Sequence, residues 1–172
     1  EQSWHRVPGG TATSTLGLLD ALVAAGEWDL VGVAAHHRQP PPAEFEPPIE
    51  VRHLPLGRRL LYETWHALGW PAVERATGPV DVVHATAVAV PPTRAPLVVT
   101  IHDLAFLADP SQPTKHGLRF FTRGAELARQ RAELVLVPSE ATARECRDFG
   151  IEADRLRIVP WGVAPVAVTD AE

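Results

Sequence analysis

Apolar positions along this chain follow two periods in alternation. Short β-branched runs, which read as buried strands, are separated by stretches with helical spacing. The segment VPGGTATSTLGLLDALVAAG carries a glycine-rich turn at Val7 to Gly10, a helical run and a glycine stop at Gly26. Leu30 to Ala35 is a short apolar run and reads as a strand. Residues 38–48 hold five prolines and read as an exposed loop. Glu50 to Leu54 alternates as a strand does. Leu61, Trp65 and Leu68 fall on one face of a helix, which Pro71 interrupts or follows with a second.

Val80 to His84 and Leu97 to Ile101 are bounded by Pro or Gly and read as fully buried parallel strands. Residues 104–116 read as a loop. Leu118, Phe121, Ala125, Ala128 and Ala132 then mark one helical face. Glu133 to Val137 is a further buried strand. Ser139 has the position of an N-cap for a helix ending at Phe149–Gly150, and Arg155 to Val159 is a last strand before Pro160-Trp161-Gly162. The alternation implies an α/β fold, a Rossmann-like doubly wound parallel sheet. One element is wanting. A glycine turn that opens a helix follows a strand, central in such sheets, yet EQSWHR is no strand core. With no Met at Glu1, the expectation is a piece of a longer chain whose first strand lies upstream.

The carboxyl ends of these strands are where an open α/β sheet binds ligands, so polar residues there are the candidates. His102-Asp103 directly follows LVVTI. A histidine there can hydrogen-bond a sugar hydroxyl or stabilise developing charge, and the alternative is a turn in which Asp103 caps the next segment. His84 closes VDVVH and could line the same edge, or simply pack there. Trp4, His5 and Arg6 precede the glycine turn. An aromatic face there stacks on sugars and an arginine pairs with anions, and the other reading is a loop that covers the sheet edge.

Gly9-Gly10 before a helix would let a ligand approach the backbone, with the helix N-terminus favouring phosphate, though glycine pairs also make ordinary turns. A dinucleotide fingerprint is not met: GGTATS is not G-x-G-x-x-G, and Ala35-His36-His37 stands where an acidic residue is needed. Ser139 reads as a cap before an anion site, Cys146 as core, and Lys115, His116, Arg119 and Arg123 as a solvated basic face or an acceptor-phosphate contact. No His pair has H-x₃-H spacing, there is no Cys pair and no Asp-x-Asp, so no metal ligand set is expected.

Composition changes the picture in few places. Lys+Arg 16 against Asp+Glu 21, a net charge of −5, argues against a nucleic-acid partner. The lone Cys146 excludes an intrachain disulfide and fits a cytoplasmic setting. No apolar run is long enough to span a bilayer, which leaves a peripheral contact at the inner face of a membrane open.

The ordered set HRVPGGTATSTLGLLDAL, VDVVHAT, PLVVTIHDLAFL, AELVLVPSEATARECRDFGI and RLRIVPWGV resembles the N-terminal domain of retaining family 4, or group 1, glycosyltransferases over nearly the whole chain. The resemblance implies the N-terminal half of a GT-B architecture, with residues 1–163 as the acceptor-binding domain, 164–172 as the interdomain linker and the donor-binding C-terminal domain absent. It implies that Gly9, Gly10 and Thr11 approach the donor diphosphate, and that His102 with Asp103 serves the reacting sugar. Trp4, His5, Arg6, His84, Lys115 and Arg119 fall to the acceptor. The implied partners are a nucleotide-sugar donor and a sugar, lipid or small-molecule hydroxyl acceptor, with no cofactor and no metal. Trp161 stands where the family has Asn. A sugar-nucleotide epimerase or phosphorylase of the same fold, or a non-catalytic Rossmann-like binding domain, remains the alternative.

Overall fold

The structure, a computed structural model, describes residues 1–5 and 9–162. Arg6, Val7, Val163, and the expected linker at 164–172 lie outside the described residues. Helix α1 spans Gly9–Ala25 and is followed by β1 (Val31–Ala34), β2 (Glu50–His53), α2 (Arg58–Leu68) and a single turn, α3 (Glu74–Thr77). Then come β3 (Val83–Ala85), β4 (Leu97–Thr100), α4 (Ala105–Ala108), α5 (Lys115–Arg131), β5 (Leu134–Val137), α6 (Glu140–Asp148) and β6 (Leu156–Ile158).

All strand pairs are parallel, and the fold is Rossmann-like. The strands form two groups, β1-β2 and β3-β4-β5-β6. Strands β1 and β3 each keep one edge with no ladder among the described residues. Before α1 there is a 3-10 turn, Gln2–Trp4, rather than a strand. Helix α1 has no single apolar face, and only Ala12 within it is fully buried. It packs on the 3-10 turns Gln2–Trp4 and Ala43–Phe45, leaving Leu18 and Val23 exposed.

The larger core is built from alternate residues of β4, its continuation and β5, chiefly Val99, Ile101, Val135 and Val137, beneath Ala125 and Ala128 of α5 and Ala143 and Cys146 of α6. Each fully buried Val or Ile stabilises the fold by about 1.5–3 kcal/mol. Cys146 belongs to this core, and burial pushes its thiol up to about 11. The loop after β3 comes so close to α5 that a Cβ on Gly124 would lie 2.1 Å from the Val88 carbonyl oxygen. A second core joins Ala35, Leu54, Leu61, Trp65 and Val73, and Val83 packs against both.

Three expectations need correction. Leu68 is 74% exposed, whereas His66 is buried. Helix α2 meets α5 through Tyr62 and His66, which both stack on Phe120, so its buried stripe is rotated away from position 68. The strand expected at Val80 to His84 begins only at Val83 and includes Ala85, with Val82 exposed. Its ladder starts from the Pro96 carbonyl, and Pro96 has no N–H to extend it upstream. Residues 104–116 are not all loop. They contain α4 and the first residues of α5, which Thr114 caps by accepting from the Gly117 amide.

Candidate functional site

Strand β4 delivers His102 at its carboxyl end. The ladder runs on through Ile101, whose amide donates to the Leu136 carbonyl, so the backbone is held up to the residue before the histidine. The His102 Nε2 lies 2.9 Å from the Thr86 carbonyl oxygen, just past the end of β3. A carbonyl can only accept, so Nε2 carries the proton, and in the neutral ring Nδ1 is left as an acceptor. One side of the ring meets Trp161, with centroids 5.1 Å apart. The Thr142 hydroxyl of α6 donates to the His102 carbonyl, and the Leu104 amide donates to the Glu145 carboxylate. Four separate segments therefore orient this half-buried histidine.

Asp103 is exposed and spends one carboxylate oxygen on the Ala105 amide, 3.1 Å away, at the start of α4. Ser139 accepts from the Thr142 amide and so acts as the cap of α6. His84 sits inside β3 rather than at its end. Its Nε2 lies 2.8 Å from the Thr100 hydroxyl, and burial lowers its pKa below the ordinary histidine value.

The glycine turn opens α1. Gly9 has a φ of 64°, a conformation that favours glycine, and a Cβ on either Gly9 or Gly10 would meet nothing within 4 Å. The turn is thus open to a ligand. Thr11 follows in the first turn, where its carbonyl accepts from the Ser14 and Thr15 hydroxyls.

Trp4 and His5 lie at the carboxyl ends of the other strand pair. The Trp4 indole stacks on His37 at 4.7 Å and meets His53 edge-on at 5.6 Å. Its Nε1 donates to the Gln39 carbonyl. Glu1 fastens this group: its carboxylate accepts from the Ala35 amide at 2.8 Å and contacts His37 Nε2 at 3.1 Å through both oxygens. The His53 Nδ1 lies 2.6 Å from the Ala35 carbonyl. Trp4, His37, Arg38 and His53 line an open cleft of about 360 Å³, and His5 lines the adjoining hollow. The pKa of His5 is lowered, first by burial and then by the nearby Arg58, and its Nε2 is buried without a hydrogen-bond partner among the described residues.

The structure thus brings Trp4 and His5 together with residues not singled out from the sequence: Glu1, His37 and His53. The signal for the two histidines was present, because each stands at the end of a parallel strand, as His102 does. It does not join the basic cluster to them. Lys115 and Arg119 are exposed on α5, His116 pairs with Glu63 of α2 at 3.4 Å, and Arg123 donates to the His66 carbonyl. No hydrogen bond or ring contact links His102 to Gly9, Gly10 or Thr11 among the described residues. Arg6 lies outside them. Among the described residues no three His, Cys, Asp or Glu side chains converge as a metal site, and no helix is long and apolar enough to cross a membrane.

Residues 8–166 match the family model described as Glycosyltransferase Family 4. Among solved structures, the chain is similar in fold to Anabaena Alr3699/HepE in complex with UDP and glucose, with UDP-glucose, and with UDP. Each comparison gives a TM-score of 0.52 at 18% identity and covers 93% of this chain. The coverage of the Anabaena protein is 42–43%, so this chain spans less than half its length. No curated protein matches the sequence.

Proposed function

Because this chain belongs to glycosyltransferase family 4 and has the Rossmann-like fold of an N-terminal GT-B half, we propose that it is the acceptor-binding half of an enzyme that moves a hexose from a nucleoside-diphosphate sugar to a hydroxyl acceptor with retention. The observation that carries this reading is His102, presented at the carboxyl end of β4 with Nε2 tied to Thr86 and Nδ1 making no hydrogen bond among the described residues. In the neutral ring this nitrogen accepts a hydrogen bond from a sugar hydroxyl, and in the charged ring it donates one. In either form it can orient the donor sugar at the reacting carbon.

The open backbone at Gly9 and Gly10, with Thr11 in the first turn of a 17-residue helix, favours an anion at the α1 N-terminus. In this reading the departing diphosphate is stabilised there. Asp103, with one oxygen committed to Ala105, holds the loop that carries His102. The UDP and UDP-glucose complexes of Alr3699/HepE support a uridine nucleotide sugar as the first donor to try. Residues 1–163 would form the acceptor domain and 164–172 the linker. A second domain would supply the base and ribose contacts.

The test is an assay of the full-length enzyme with a panel of nucleotide sugars and hydroxyl acceptors, following nucleotide release and the anomeric proton of the product by NMR. Transfer with the donor's anomeric configuration kept is the expected result. An inverted product, or no transfer and no donor hydrolysis with any nucleotide sugar, overturns the proposal.

A further inference from the structure

The cleft at Trp4 has a hydrogen-bonding character set by the ties of its imidazoles. The Ala35 carbonyl can only accept, so His53 carries its proton on Nδ1, 2.6 Å away. Glu1 likewise accepts from His37 Nε2. In the neutral rings this leaves Nε2 of His53 and Nδ1 of His37 as lone-pair acceptors, and neither makes a hydrogen bond to a described residue. Both side chains line the cleft beside the Trp4 indole, with the exposed Arg38 guanidinium as a donor. His5, whose Nε2 has no hydrogen-bond partner among the described residues, lines the adjoining hollow.

Fully ionised phosphate and carboxylate groups only accept hydrogen bonds and, with the rings neutral, would meet lone pairs at two of these positions. Hydroxyls both donate and accept, and so can satisfy imidazole nitrogens and guanidinium together. The aromatic wall of Trp4 and His37 suits the apolar face of a saturated ring. The fixed geometry is already established, since the stack, the Glu1 carboxylate and the Gln39 carbonyl hold the rings.

We propose that this cleft binds a neutral polyhydroxylated ring, the sugar portion of the acceptor, through Trp4, His37 and His53. The assignment to an acceptor rests on the glycosyltransferase reading above.

The experiment titrates the 172-residue chain with methyl glycosides of the common hexoses, with hexose 6-phosphates, and with inorganic phosphate. Tryptophan fluorescence and the ¹H–¹⁵N signals of the histidine rings are followed. Neutral glycosides should give saturable shifts at His37 and His53, with the phosphates binding more weakly. Trp4→Ala should weaken glycoside binding about ten-fold. Trp4→Phe, which keeps an aromatic face, should retain most of it. His53→Ala, at an exposed position that does not threaten the fold, should weaken it as well. The proposal fails if no glycoside gives a saturable shift, if phosphates bind more tightly than the parent sugars, or if Trp4→Ala and His53→Ala bind as the wild type does. Sugar transfer by the full-length enzyme with no binding in this cleft would overturn the cleft alone. Saturable glycoside binding by a protein that transfers no sugar would overturn the glycosyltransferase reading and the acceptor assignment, leaving a carbohydrate site.

Discussion

Trp161 packs against the imidazole of His102 with ring centroids 5.1 Å apart and planes tilted by 34°. The two residues are 59 positions apart in sequence and come from the ends of β4 and β6. The contact completes the cradle of His102, whose Nε2 is already bound to Thr86.

That cradle leads to a split between activity and stability. His102→Ala should lower turnover of the full-length enzyme by about 10²–10³-fold, or roughly 3–4 kcal/mol, if the ring stabilises the transition state. The melting temperature should move little, because the side chain is only half buried. Trp161→Ala removes the ring contact and should cost turnover about three- to ten-fold. Steady-state kinetics and a thermal melt on the same preparations check both. Wild-type turnover in a folded His102→Ala protein would remove His102 from the site.

Two glycines should respond in opposite ways. Nothing lies within 4 Å of a Cβ on Gly10, and the residue has ordinary helical geometry. Gly10→Ala should leave stability unchanged or raise it by up to about 1 kcal/mol, while weakening donor binding in the full-length enzyme. At Gly124 the new Cβ meets the Val88 backbone, so Gly124→Ala should destabilise by about 3 kcal/mol or more. Urea unfolding of both variants, with the donor KM for Gly10→Ala, decides this.

The buried His66 should make stability depend on pH. Both ring nitrogens lack a hydrogen-bond partner among the described residues, although the Val88 carbonyl is near, and burial lowers the pKa to about 4 from 6.5. A depressed histidine binds fewer protons folded than unfolded, so stability is fully present above about pH 6.5 and declines as pH falls toward 4. The shift corresponds to about 3 kcal/mol. His5 and His84 are lowered in the same direction. His66→Phe keeps a ring on Phe120 and should reduce the stability difference between pH 7 and pH 4.5 by about 2 kcal/mol. An unchanged difference would show that His66 is charged in the folded state.

Residues 1–172 alone should neither transfer sugar nor bind nucleotide sugars tightly. The helix N-terminus supplies about 0.3–1 kcal/mol to an exposed anion, whereas sub-millimolar to micromolar binding needs roughly 5–8 kcal/mol. Calorimetric titration with nucleotide sugars, beside a turnover assay, tests this. Micromolar affinity or measurable transfer would show that the donor contacts lie within these residues.

Sequence alone determined the elements whose signals are local. The β-branched runs of β4 and β5, the Ser139 cap of α6 and the glycine turn opening α1 all follow from spacing and from single-residue backbone preferences. The position of His102 beyond a strand was legible for the same reason. Tertiary structure decided what depends on partners distant in the chain. Which face of α2 is buried was set by Phe120 on α5, and this turned Leu68 outward and His66 inward. Where β3 starts was set by Pro96 on the neighbouring strand. The proton positions on His102 and His53 follow from carbonyls 16 and 18 residues away in sequence, and the Glu1–His37 tie spans 36. A hydrophobic period reports only that some face will be buried. The partner that buries it, and the nitrogen left free for a ligand, are fixed when the chain closes on itself.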